Sequence, residues 1–79
     1  MQKWQQRVVD ERDQYHAQAA AIAARLPRLG AFLREPAADS LVPRARGLLH
    51  RQEALMQLAE HVLCELVETT GERIAMFED

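Results

Sequence analysis

The sequence predicts an all-α fold: an antiparallel two-helix hairpin, kinked near Pro27, that assembles into a homo-oligomeric helical bundle. Three observations carry this. Alanine and leucine dominate an apolar content of 48%, aromatics are only 5%, and β-branched residues are few, which is a helix-former composition. Large apolar side chains recur at alternating steps of three and four along two long stretches, the spacing of a coiled-coil-like seam. One proline-bearing interruption, around Pro36, separates the two stretches.

The 79 residues allow one domain, read as helix over about 3–34, turn over about 35–40 and helix over about 41–77. A chain this short buries a thin core and normally needs disulfides, a metal or oligomerisation. Cys64 is the single cysteine, so no internal disulfide can form. That usage fits a reducing compartment. No zinc framework or cofactor motif is visible, so self-association is the expected source of extra stability.

In the first helix the seam falls at Trp4, Val8, Tyr15, Ile22 and Leu29, with Leu26 and Leu33 one position off and Glu11 and Gln18 between. The alanines from Ala17 to Ala24 offer a smooth surface for close helix approach. Pro27 removes an intrahelical hydrogen bond and crowds the preceding turn, which costs about 3 kcal/mol in a helix interior. A kink there, or an end near Arg25 with a restart at Pro27, is expected. Pro36 stops the helix. Asp39 or Ser40 is suited to cap the second helix, with Pro43 in its first turn.

The second helix carries three neighbouring columns. They read Leu48, Leu55, Val62, Thr69, Met76; Leu49, Met56, Leu63, Thr70, Phe77; and Ala45, Gln52, Ala59, Leu66, Arg73. Such a face is wider than one partner helix can cover, and implies a dimer or larger bundle. Gly71 weakens the helix by about 1 kcal/mol relative to alanine, so a bend or fraying is expected there.

No motif points to catalysis. Gly30, Gly47 and Gly71 are isolated, so no phosphate-cradling loop exists. The lone serine, Ser40, falls at a predicted cap, which leaves no serine triad. His61, Cys64 and Glu65 have a spacing seen at metal sites, but no second ligand pair faces them, and no metal is expected. The polar start carries no apolar leader, and no stretch approaches the roughly 20 apolar residues that span a bilayer. A cytoplasmic location is therefore expected. A net charge of -2 argues against nucleic-acid binding, despite a local basic strip at Arg44, Arg46 and Arg51.

Antiparallel pairing brings the start of the first helix beside the end of the second. Trp4, Arg7 and Glu11 then meet Thr69, Thr70 and Arg73, where the apolar seam turns polar. Guanidinium groups pair with phosphate and an indole stacks on a base, so this cluster could take a phosphorylated aromatic ligand. The alternative is structural: Arg73 pairs with Glu11, and the threonines set register.

The opening Trp4-Gln5-Gln6-Arg7-Val8-Val9-Asp10-Glu11 and the closing Gly71-Glu72-Arg73-Ile74-Ala75-Met76-Phe77 resemble a family of small tailed-phage and prophage proteins, as does Leu48-Leu49-His50-Arg51-Gln52 at the start of the second helix. Each helix here is about one heptad longer than the family's common form, which moves the turn outward by about 10 Å. The family looks similar in size and hairpin design to phage anti-defence sponges. The resemblance implies a cytoplasmic protein of the bacterial host cell that sequesters a cyclic nucleotide or cyclic ADP-ribose signal without turnover; it transfers no individual binding residue, but its two end motifs coincide with the cluster of Trp4, Arg7, Glu11, Thr69, Thr70 and Arg73. The other reading is a helical module that binds a host or phage protein through its apolar face.

Overall fold

In the computed structural model, which describes residues 1–78 and side chains through Phe77, the chain is helical almost throughout and contains no strand among the described residues. Helix α1 spans Lys3–Arg34, a single turn α2 spans Pro36–Asp39, and α3 spans Pro43–Ala75, followed by a 3₁₀ turn at Met76–Glu78. The two long helices pack side by side in a rod of 58 × 15 × 15 Å.

Helix α1 opens with the Gln2 backbone N–H donating to Gln5 Oε1 at 2.8 Å, which satisfies a donor the helix start leaves over. It then runs unbroken through Pro27, so the expected end and restart there do not occur. Pro27 itself is exposed, while its neighbours Leu26 and Leu29 pack inward. The helix also continues through Gly71 in α3 and gives way to the 3₁₀ turn after Ala75.

The connection is more built than a plain turn. Pro36 opens α2 at its first position. Ser40 Oγ donates to the Ala37 carbonyl at 2.6 Å and so closes α2 rather than capping α3. Val42 takes the cap position of α3 without a side-chain bond, and Pro43, which has no N–H to satisfy, follows it. The capping role expected of Asp39 or Ser40 is therefore corrected. Asp39 instead meets Arg46 at 3.2 Å, an exposed pair worth about 1 kcal/mol at most. Ala38 is fully buried in the corner.

The seam of α1 matches the expected one at its large aliphatic positions and departs from it at Trp4, Gln18 and Ala19. Val8, Tyr15, Ile22 and Leu29 face α3, as do the expected Leu26 and Leu33, and Ala19 joins them. Gln18 is exposed and Trp4 is 54% exposed, so neither belongs to the seam. The reason lies in the residues: Ala19 buries apolar surface that Gln18 cannot offer. From α3, the inward column is Leu49, Met56, Leu63, Thr70 and Phe77, joined by Val67 and Ile74. At Gly30 the end of the Glu53 side chain lies so close that a Cβ would come within 2.9 Å of its Oε2. The core stays thin, with Val8, Ala19 and Ala38 as its buried apolar side chains.

Candidate functional site

Two features qualify: the polar end where the helices begin and finish, and the flank of α3 that α1 leaves bare.

At the polar end, Trp4 and Phe77 meet edge to face, with centroids 5.2 Å apart and planes at 80°. This contact fastens the first turn of α1 to the turn after α3. Trp4 Nε1 donates to Gln2 Oε1 at 3.0 Å, so its polar edge is occupied locally. Two turns further along α1, Glu11 accepts from the Tyr15 hydroxyl at 3.0 Å and stands 3.9 Å from Arg73 across the hairpin. The bond to Glu11, then its negative charge, then burial raise the Tyr15 pKa above its ordinary value, and Arg73 acts weakly the other way. Both members of the Glu11–Arg73 pair are about half exposed, at 42% and 53% of their side chains, so the attraction is well screened.

The threonines differ in setting. Thr70 is 2% exposed, and its hydroxyl donates to the carbonyl of Leu66 at 2.8 Å, with Val67 also in reach at 3.1 Å. Thr69 is exposed, and its hydroxyl donates to the Glu65 carbonyl at 2.8 Å. Both donors are thus spent on the preceding turn of their own helix, a common use of threonine in a helix interior. Arg7 is exposed, on the flank of α1 that also carries Trp4 and Glu11 by the three- and four-residue neighbour rule. The expected cluster is therefore brought to one end. Within a single hairpin, however, Thr70 lies inside the seam and Glu11 is already engaged.

Open troughs run along the sides of the rod, and two of them are largely apolar. One has a floor of Ala19, Ala20 and Ala23, with His16, Cys64 and Glu68 at its edges, and measures about 390 Å³. The other lies along α3 beside Leu48, Gln52, Leu55 and Ala59. None of the six expected site residues lines either trough. His61 is held by Glu65 at 3.2 Å, both exposed, and no group of three His, Cys, Asp or Glu side chains suited to a metal ion occurs among the described residues.

The bare flank of α3 is the larger feature. Leu48 and Leu55 are each 54% exposed, Leu58 59% and Val62 46%. They line one side of a helix about 50 Å long. The width of the apolar face pointed to such a surface, but Leu58 lies outside the three columns and was missed. Its signal was the step of three from Leu55 and four to Val62. No helix of the described residues is long and apolar enough to cross a membrane.

No family model, curated protein or solved structure matches this chain. The phage-family resemblance therefore rests on its motif residues alone.

Proposed function

We propose that this hairpin is a non-catalytic helical interaction module that assembles with itself. One observation carries the reading: Leu48, Leu55, Leu58 and Val62 form a continuous apolar row that α1 leaves in water. Solvated singly, exposed leucines need no explanation, but a row along one helix flank is the mark of a contact surface. The thin core of the lone hairpin adds a reason, since assembly supplies the burial that so short a chain lacks. Sedimentation velocity across a concentration series tests it. A dimer or larger species should form, and the double variant Leu55→Glu/Val62→Glu should sediment as a monomer. A wild-type chain that stays monomeric at its highest soluble concentration would overturn the reading.

A second reading has its own support. Trp4 at 54% and the Arg73 side chain at 53% remain exposed at the same end of the rod. With Arg7 they offer an aromatic surface and two cations to a phosphorylated base, as expected of a phage-encoded anti-defence protein that sequesters a cyclic nucleotide. In this reading a neighbouring copy completes the pocket. A bound signal at about 100 times its dissociation constant adds about 2.7 kcal/mol of stability. Thermal unfolding against cyclic di- and trinucleotides and cyclic ADP-ribose isomers should then show a selective shift that Arg73→Glu removes. A flat panel would retire this reading and leave the interaction module standing.

A further inference from the structure

Arg44, Arg51, Leu58, Glu65 and Glu72 stand seven apart on α3 and form one exposed column beside the bare row. The column is antisymmetric in charge. Two cations lie toward the start of the helix, two anions toward its end, and the apolar Leu58 lies between. Among the described residues no ion pair engages Arg44, Arg51 or Glu72, and Glu65 gives one oxygen to His61.

We propose that the α3 of a second copy covers this flank, antiparallel and centred on Leu58. Arg51 then faces the partner's Glu65, and Arg44 faces the partner's Glu72. The inference rests on the self-assembly reading above and adds orientation and register to it. Three arguments converge. The antiparallel arrangement sets opposite charges against each other on both sides of the twofold axis, whereas a parallel one stacks Arg on Arg and Glu on Glu. The pivot is apolar, so the axis buries no charge. Leu58 also lies one residue from the middle of Pro43–Ala75, so this register overlaps the two helices along nearly their whole length. Leu55, Leu58 and Val62 are then covered at the centre of the contact, and Leu48 lies toward one end of it.

The test uses the full chain with Cys64→Ser, into which one cysteine is returned at a time, and a short bis-maleimide cross-linker. Leu58→Cys should cross-link to itself efficiently. Arg51→Cys and Glu65→Cys should each fail alone and cross-link when mixed. In parallel, Arg44→Glu/Arg51→Glu should raise the dissociation constant about tenfold or more, because several pairs turn repulsive at once. Adding Glu65→Arg/Glu72→Arg inverts the whole column and should restore the affinity. Self-cross-linking at 51 or 65, or no rescue by the fourfold variant, would overturn the register while leaving self-assembly intact. A monomer in sedimentation would overturn self-assembly itself.

Discussion

Leu49, Met56 and Leu63 differ from Leu48, Leu55 and Val62 by a single step along α3, yet their surroundings diverge. The first set is partly buried against α1, and the second stays 46–54% exposed. Side chain chemistry is alike in the two rows, so hydrophobicity alone did not choose which one faces the hairpin seam. The choice follows the geometry of α1. Its apolar positions make one narrow stripe, through Val8, Tyr15, Ala19, Ile22 and Leu26, and a stripe of that width covers only one flank of α3. A helix with a broad apolar face packed on a helix with a narrow one leaves a remainder, and that remainder is what a partner can read.

The largest effects should separate covered from bare positions. Val8 is 5% exposed in the seam, so Val8→Asp puts a charge where nothing pairs with it and should cost roughly 3 kcal/mol or more. Helical circular dichroism should fall at every protein concentration. Leu55→Asp on the bare flank should act only through assembly. The wild-type melting midpoint should rise with protein concentration, and that of Leu55→Asp should not. If both variants lose helicity equally in dilute solution, the bare flank is part of the hairpin's own core and the distinction fails.

Thr70 and Thr69 sharpen the same contrast at the polar end. Each bonds its own helix, but Thr70 is buried and Thr69 exposed. Thr70→Ala should destabilise by about 1 kcal/mol through lost packing. Thr69→Ala should be neutral to stabilising by a few tenths, since alanine is the better helix former. Urea unfolding of the two single variants measures the difference. A larger loss at Thr69 than at Thr70 would mean that Thr69 contacts something the single hairpin does not contain.

Much of this arrangement was legible in the residues. Helix formers, the three–four spacing and the Pro36 interruption suffice for two long helices and a reversal. The width of the α3 face was legible too, because seven-residue columns need no structure to be counted. The seam of α1 was legible except at Trp4, Gln18 and Ala19. Val8, Tyr15, Ile22 and Leu29 are large and stand out, whereas Ala19 carries almost no hydrophobic signal and gains its place through close approach. The caps around α2 were not legible, since Asp39, Ser40 and Pro43 each suit more than one role and only the path of the chain decides. The polar end was legible as a cluster but not as chemistry. Whether a threonine hydroxyl bonds its own helix or a ligand depends on a rotamer that no spacing rule reports.

Glycine offers a finer comparison. A Cβ at Gly71 meets open space, and one at Gly30 meets Glu53 Oε2 at 2.9 Å. Gly71→Ala should therefore stabilise α3 by about 1 kcal/mol, the ordinary helix-propensity gain. Gly30→Ala should return less, because the Glu53 carboxylate has to move. Melting temperatures of the two variants, measured at one protein concentration, give the comparison directly. Equal gains would show that the Glu53 side chain moves aside without cost.

A small effect that depends on pH belongs to Tyr15, which joins the covered seam to the polar end through Glu11. Its raised pKa means that the folded chain holds the phenolic proton more tightly than the unfolded chain does. The sign follows: this contribution is fully present below the ordinary phenol value of about 10 and is lost as pH rises through the higher folded-state value. Tyr15→Phe deletes the hydroxyl and its bond to Glu11 but keeps the ring in the seam. The variant should be slightly less stable than wild type at pH 8, because it loses one part-buried hydrogen bond. That gap should close or reverse at strongly alkaline pH, where the native phenolate would face the Glu11 carboxylate. Paired urea titrations at pH 8 and near pH 11 read the change, with Tyr15→Phe cancelling the pH response of every other group. A gap that widens with pH would mean that Arg73, not Glu11, governs the phenol. The Arg73 guanidinium would then be turned inward toward the seam, away from the solvent face where a phosphate could reach it.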